Sequence, residues 1–493
     1  MKITLINPPF VFSSKDHVVI SHCIGLRILS STLKANSSNE VIFIDSLMEG
    51  YSNVQPFRSG YKIGLDTDKI IEKIPRDSDL IGISVPFSQL APVAHDIVDH
   101  IKAYVPKSTV VMGGIYPSTQ PQLSLTSKTD YIVIGEGEVA LSQLADGKDA
   151  KNIIGVYCRE SLVDNTYSKA LEIEDLDQLT FPDYSIPSME RYFTRSQRAR
   201  MGRVAALVTS RGCPYSCEFC SIHPVFGHNY RYRSPENVLQ EIEFLVKKYG
   251  IRFLEIEDDN FTLRKDRAVK ILEGIIYLNE KGAKLAWATP NGIRIDTLDE
   301  DVIKLIKRAN GQNITVAIEH GDQEMLKIMN KHLDLDKAWE VLKLLVKYEI
   351  PNISIFFMIG YPGETIERFN NAYKYLKNVR NLGGNINIFL NNTQPYPNTK
   401  LFKRCVEAGY IGPDSDNYLK RDDILDTRDT ISIVTADFDA KEVLRRKASL
   451  EQIFYKAPPL WKKVSKQLIP TKIWLILRGL KKRIKSAITL LGT

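Results

Sequence analysis

No uninterrupted apolar stretch in the sequence approaches the roughly 18 residues that a membrane-spanning helix needs. The longest greasy runs, such as Ile353 to Ile359, are strand-sized, so an integral membrane protein is not expected. The opening MKITLINPPF lacks a charged segment followed by a long apolar core and a small-residue cleavage site, which points to a cytoplasmic protein. Cysteine is scarce, with 6 in 493 residues, and three of these fall within eight positions, as a metal or redox site would and a disulfide scaffold would not. No G-x-G-x-x-G follows the first strand and no G-x4-G-K-[ST] occurs, so dinucleotide and P-loop readings lose support. Acid is missing from one segment: Gln452 to Thr493 holds ten Lys or Arg and no Asp or Glu. The net charge of +7 therefore becomes 7 − 10 = −3 for the rest, which disfavours a nucleic-acid binder with basic surface spread over its fold. Internal repeats and low-complexity tracts are absent too. What is present is ordinary globular usage, 43% hydrophobic and 25% charged, at a length that implies two or three domains.

Along the first 145 residues, short Val- and Ile-rich runs alternate with helix-length stretches. Lys2 to Asn7, Val41 to Asp45, Leu80 to Val85, Thr109 to Met112 and Tyr131 to Ile134 have the pattern of buried parallel strands joined by crossovers. A five-stranded, doubly wound, Rossmann-like sheet is expected, with its ligand crevice beyond the carboxyl ends of the strands. A second alternation starts near Val204, with strands over Ala205 to Ser210, Phe253 to Glu257, Leu285 to Thr289, Ile314 to Ile318, Asn352 to Met358 and Asn385 to Leu390. Six strand-helix units predict an α/β fold with a partial (β/α)6 TIM-like barrel whose reactive groups lie at C-terminal strand ends. The expected organisation is a sheet domain over 1–147, a linker over 148–199, the barrel over 200–402, a small helical extension over 403–458 and a basic tail over 459–493.

Directly after the first barrel strand comes Ser210-Arg211-Gly212-Cys213-Pro214-Tyr215-Ser216-Cys217-Glu218-Phe219-Cys220. Three thiolates spaced C-x3-C-x2-C can hold three irons of a four-iron cluster and leave the fourth open to a substrate. Zinc is the competing reading, with His223 near enough to complete a tetrahedral set, and a chance cluster of buried thiols is the blandest. A strand mouth, where barrel chemistry belongs, favours the iron–sulfur site.

On this loop the sequence resembles the radical S-adenosylmethionine superfamily, over roughly residues 200 to 402. Glu257-Asp258-Asp259-Asn260-Phe261-Thr262, Asn291-Gly292-Ile293-Arg294-Ile295-Asp296, Ile318-Glu319-His320-Gly321, Gly360-Tyr361-Pro362-Gly363-Glu364-Thr365 and Gln394-Pro395-Tyr396-Pro397-Asn398-Thr399 fall where that family has corresponding motifs. His320 stands for its usual Ser and Asn398 for its usual Gly. The resemblance implies a [4Fe-4S] cluster on Cys213, Cys217 and Cys220, chelation of S-adenosylmethionine by the open iron, and cleavage to methionine and a 5′-deoxyadenosyl radical. Arg294 suits the methionyl carboxylate. Glu319 and one of Glu257, Asp258 and Asp259 suit the amino group or ribose, and Phe219 and Gly360 complete the expected site.

Fused ahead of such a barrel, Asn7-Pro8-Pro9, Val111 to Pro117 and Asp130 to Glu138 resemble the cobalamin-binding domain of the cobalamin-dependent subfamily. Asn7, Pro8, Ser84, Gly113, Gly114, Gly135, Glu136 and Gly137 are the implied contacts. No D-x-H-x-x-G occurs, so His17, His22, His95 and His100 read as solvent or helix-face residues and the lower face of cobalt is expected to lack a histidine. Cys23, Cys158 and Cys405 read as ordinary buried thiols. The implied activity is a radical methyltransferase acting on an unactivated carbon of a small molecule through methylcobalamin, reduced by a flavodoxin or ferredoxin. Rearrangement, cyclisation or oxidation with the same cofactors is the alternative, and a cobalamin- or light-sensing regulator is a third, against which the intact cysteine triad and Arg294 argue. In the tail, Ile473, Ile476, Leu477, Leu480, Ile484, Ile488 and Leu491 would share one helical stripe. Docking of that stripe on the barrel is preferred over peripheral contact with an anionic membrane.

Overall fold

Both alternations fold as parallel sheets. The computed structural model describes residues 1–455 apart from 15–21, 36–37, 127, 163–165, 196–197, 413, 416, 418 and 421–429. The first sheet contains β1 (Lys2–Asn7), β2 (Glu40–Asp45), β3 (Leu80–Ser84), β4 (Thr109–Gly113), β5 (Tyr131–Val133) and β6 (Val156–Tyr157). Their order is β2-β1-β3-β4-β5-β6, parallel except for β6. Ile3 and Leu5 pack under the helices Ile24–Ala35 and Glu138–Ala145, whereas Ile6 packs on the opposite face with Ile97 of the helix Ala91–Tyr104. Burial on both faces is why these strands read as continuous apolar runs. Strand order reverses between β1 and β3, and that reversal opens the crevice at their carboxyl ends.

The second sheet runs in sequence order through β7 (Val204–Leu207), β8 (Phe253–Ile256), β9 (Ala286–Arg294), β10 (Gly311–Glu319), β11 (Ile353–Ile359) and β12 (Ile386–Asn392), all parallel. Its helices start on side-chain caps that the sequence supplies: Ser234 accepts from the Asn237 amide, Asp299 from Val302, and Thr365 from Arg368. Register slips at Thr289/Ile293 and Ala317/Glu319 bend the ends of β9 and β10 at the barrel mouth.

The segment read as a linker is built into both units. Its Val156–Tyr157 pairs with β5, and Met189, Tyr192 and Phe193 of the helix Met189–Arg195 join the barrel core. Its pieces are too short to show a period. An antiparallel sheet of Phe10–Phe12, Val54–Phe57 and Gly60–Ile63 was equally hidden. Beyond the barrel, the helix Ala440–Phe454 buries Arg446, which pairs with Glu364 at 3.1 Å. Among the described residues no helix is long and apolar enough to cross a membrane, and the basic tail lies outside them.

Candidate functional site

Gly212 sets up the cysteine loop: its φ is +81°, and a Cβ there would lie 2.1 Å from the Asn229 carbonyl oxygen. Cys213, Cys217 and Cys220 follow, all free and half-buried, with the Cys220 amide closing a turn on the Cys217 carbonyl at 3.2 Å. Burial raises all three thiols, Cys220 to about 12, so a cationic metal centre is what would ionise them. His223 donates from Nε2 to the Cys213 carbonyl at 3.2 Å, which fixes its ring beside the loop. Among the described residues, a trio of ligand atoms all within 4.8 Å of one another is formed by His22, Glu255 and Glu257, not by the three thiols. Sulfurs spread that widely fit a polynuclear cluster better than one tetrahedral zinc, whose thiolates sit about 2.3 Å from the metal.

The acids and cations around this loop divide into occupied and available groups. Asp258 accepts from the Thr209 amide at 2.6 Å and from the Ser210 hydroxyl at 2.6 Å, so it fastens the end of β7 and has little left for a ligand. Burial, with the Asp258 charge beside it, lifts the neighbouring Asp259 carboxyl to about 7. Arg294 donates to both Asp296 oxygens, at 3.0 and 2.8 Å, and to the Lys331 and His332 carbonyls. Its guanidinium stacks 3.7 Å from the Tyr215 ring centre. The residue expected to take a carboxylate from a ligand is thus engaged with Asp296 and two backbone carbonyls. Glu319 ends β10 with φ +73° and accepts from Lys331 at 3.0 Å. Lys331 lies on a turn, where no strand-end pattern could have singled it out. Phe219 packs half-buried against the barrel core, and Gly360, with φ +75°, donates its amide to Glu364 at 3.0 Å.

A cleft of about 310 Å³ lies beyond the ends of the first sheet. Asn7, Ser84, Gly113, Gly114, Gly135, Glu136 and Gly137 line it from one side, and Val208, Arg211, Phe226 and Glu257 of the barrel from the other. Pro8 is buried and is not part of this lining. Asn7 spends its side-chain amide on Asp45 at 2.9 Å. Gly114 is required by the backbone, since φ is +111° and a Cβ would stand 2.7 Å from the Val85 oxygen. Gly113 is different: a Cβ there would meet no protein atom within 4 Å, so the fold leaves that space free. Glycine backbone and apolar side chains along this cleft leave room for part of a cofactor to approach the backbone closely.

Two buried ion-pair groups fasten sheet domain to barrel at the cleft. Glu136 accepts from Arg211 at 2.8 Å and from Arg231, and Glu138 accepts from Arg211 at 2.6 Å. Glu136, expected as a cofactor contact, therefore gives its carboxylate to two arginines. On the other side His22, read as a solvent or helix-face residue, is buried and bonds Glu255 at 3.1 Å, with Arg198 also on Glu255. Glu257 beside them shows no side-chain hydrogen bond, and burial raises its carboxyl. His95 is buried against the Tyr116 hydroxyl at 3.0 Å, and His100 is exposed and bonds the Asp96 carbonyl. His17 lies outside the described residues. Of the three single cysteines, Cys405 is buried, Cys158 is partly exposed, and Cys23 lines the cleft.

Residues 207–376 match the radical SAM superfamily and residues 18–145 the B12 binding domain. An uncharacterised methyltransferase of Pyrococcus horikoshii is 29% identical over 414 residues, spanning 82% of this chain and 83% of that one. Cytidylyl-2-hydroxyethylphosphonate methyltransferase of Streptomyces wedmorensis is 26% identical, spanning 85% and 84%. The radical S-adenosylmethionine methyltransferase TsrM of Kitasatospora setae, solved with cobalamin and a [4Fe-4S] cluster, has a similar fold with TM-score 0.68, 18% identity, and coverage of 92% and 91%. By its two matched domains and its fold, the chain belongs to the radical S-adenosylmethionine superfamily, in the branch that carries a cobalamin-binding domain.

Proposed function

We propose that the protein is a cobalamin-dependent radical methyltransferase that places a methyl group on an unactivated carbon of a small molecule. The observation that carries this reading is adjacency: Arg211, two residues before Cys213, and Glu257 of the barrel wall the same cleft as Gly113, Gly114 and Gly135 of the sheet domain. Cys217 and Cys220 line a separate pocket with His223 and Asn398, so the cysteine loop runs from the wall of the cleft into that pocket, an adjacency that suits a reaction in which both cofactors act on one substrate atom. When bound, S-adenosylmethionine on the cluster supplies a hydrogen-abstracting radical and cobalamin supplies the methyl group. The chain's own residues hold and orient these groups. Cys213, Cys217 and Cys220 would bind the cluster, the Rossmann glycines would cradle the corrin tail, and the Glu136, Glu138, Arg211 and Arg231 group closes one flank against water. Relatives named as methyltransferases cover most of the chain and support methyl transfer. The magnesium-protoporphyrin ester cyclase of Rubrivivax gelatinosus, 27% identical, is spanned over only 60% of its length and lends the alternative less. A one-electron donor of the flavodoxin or ferredoxin class would reduce the cluster. Anaerobic turnover with reductant should release both S-adenosylhomocysteine and 5′-deoxyadenosine. Deoxyadenosine alone would favour rearrangement or cyclisation.

A further inference from the structure

Four residues stand in one row across the barrel sheet. Strand pairing sets Arg294 of β9 beside Ala317 of β10, Ala317 beside Phe356 of β11, and Phe356 beside Phe389 of β12. Their neighbours Ile355, Phe357, Ile388 and Leu390 are buried in the core under the helices. Side chains alternate along a strand, so the row itself faces the barrel interior. In a closed barrel such a row is covered by side chains from the strands opposite. The six strands here form an open sheet, and Phe389, on the last of them, is 48% exposed.

A single exposed apolar side chain on a convex surface needs no explanation. Phe389 differs because it belongs to a built strip on a concave wall. Its ring lies 5.7 Å from that of Phe356, at 51° between planes. Phe356, half-buried, rests in turn on Gly292, where a Cβ would stand 2.8 Å from the ring. Gly292 has φ +82° and lies within the β9 register slip between Thr289 and Ile293, so an irregularity of the backbone makes room for the ring. Below the strip, toward the start of the strands, Ser354 donates to Asn313 at 3.0 Å, the Asn352 amide donates to Ser354 at 3.1 Å, and Asn387 donates to Asn352. These groups satisfy one another and seal the floor. At the other end of the row, Arg294 lies against Tyr215 of the cysteine loop. Adjacent strands are about 4.8 Å apart, so Phe356 stands about 10 Å and Phe389 about 14 Å from Arg294, a span that one small molecule covers.

We propose that Phe356 and Phe389 form a shelf on which a flat, apolar ring of the methyl acceptor stacks, which makes the substrate class aromatic or conjugated-ring molecules. Two rings inclined to each other offer one face-on and one edge-on contact to a third. A sugar-like or multiply charged acceptor would instead lay polar groups against two phenyl rings and an amide layer already satisfied, at a desolvation cost nothing there offsets. Phe389 thereby sets specificity, and Phe356, held by Gly292, positions it. The inference deepens the reading of the chain as a small-molecule methyltransferase and rests on it.

The test uses the full-length reconstituted holoenzyme and two probes of one carbon skeleton, flat naphthol and puckered decahydronaphthol. Equilibrium dialysis compares wild type, Phe389→Leu and Phe389→Tyr, with iron and cobalamin measured in each. Wild type should prefer naphthol, Phe389→Leu should shrink that preference by about two- to tenfold, the scale of one aromatic pair, and Phe389→Tyr should keep it. A preference unchanged in Phe389→Leu, or loss of iron or cobalamin from that variant, overturns the assignment. Naphthol binding that appears only after deletion of residues 459–493 also overturns it, since the chain's own tail would then cover the pair. In reactions with labelled S-adenosylmethionine and cell extract, a labelled product without aromatic or conjugated absorbance ends the shelf and keeps the methyltransferase reading. No labelled product, with naphthol binding still dependent on Phe389, fails that reading alone.

Discussion

Gly113→Ala separates what the fold needs from what a ligand needs. The new Cβ meets no protein atom within 4 Å, and Gly113 has none of the positive φ that would strain an L-residue. Losing a glycine's freedom in the unfolded chain should then stabilise the apo-protein by about 0.4–1 kcal/mol. The same methyl projects into the cleft that we assign to cobalamin. Overpacking a fitted ligand by one methyl costs about 1–3 kcal/mol, roughly a 5- to 150-fold loss of affinity. The two effects have opposite signs, which a general loss of structure could not produce. Gly114→Ala is the contrast: with φ +111° and a Cβ 2.7 Å from the Val85 oxygen, it should destabilise the apo-protein by about 1–3 kcal/mol. Urea unfolding of the apo-proteins and spectrophotometric titration with cobalamin measure both quantities. Unchanged cobalamin affinity in Gly113→Ala, or a destabilised apo-protein, would mean that Gly113 does not face the cofactor.

Replacing Cys213, Cys217 and Cys220 together by Ala should abolish iron and sulfide incorporation while cobalamin still binds; undiminished iron would remove the cluster assignment. Glu136→Gln leaves Arg211 and Arg231 short of a buried counter-charge, and denaturant melts should show a loss of about 3–5 kcal/mol. A loss under about 1 kcal/mol would mean that this group does not fasten the domains. His95 is buried neutral with its pKa depressed to about 4, so the unfolded chain takes up its proton first as pH falls. Stability should therefore drop between about pH 6.5 and pH 4, by about 3 kcal/mol from this group, and His95→Gln should flatten that slope. In the cob(II)alamin form, electron paramagnetic resonance should show no nitrogen splitting from a protein histidine, since the sequence has no D-x-H-x-x-G.

The cysteine loop was legible because its chemistry is local: three thiols in eight residues after a strand need no knowledge of the rest of the chain. Parallel strands were legible for a similar reason, since burial on both faces writes itself as unbroken Val and Ile runs. Side-chain partners were not. Asp258 and Asp259 are equivalent acids in sequence, and only the fold directs one to Thr209 and Ser210 and lifts the other to a pKa of about 7. Arg294 reads as a free guanidinium until the 329–332 turn, some forty residues on, brings two carbonyls to it. Glu136 sits in a glycine-rich loop typical of ligand contact, yet its partners Arg211 and Arg231 come from the barrel. Long-range pairing of this kind leaves no period or spacing to read.

In the proposed reaction both cofactors act on one substrate carbon, to which a methyl group is transferred. The direct measurement is mass spectrometry of anaerobic reactions containing the reconstituted holoenzyme, reductant, trideuteromethyl-labelled S-adenosylmethionine and a small-molecule extract from cells lacking the gene. The expected product is one in which one C–H has become C–CD3, formed together with S-adenosylhomocysteine and 5′-deoxyadenosine. A product carrying no label, formed while deoxyadenosine accumulates, would contradict it.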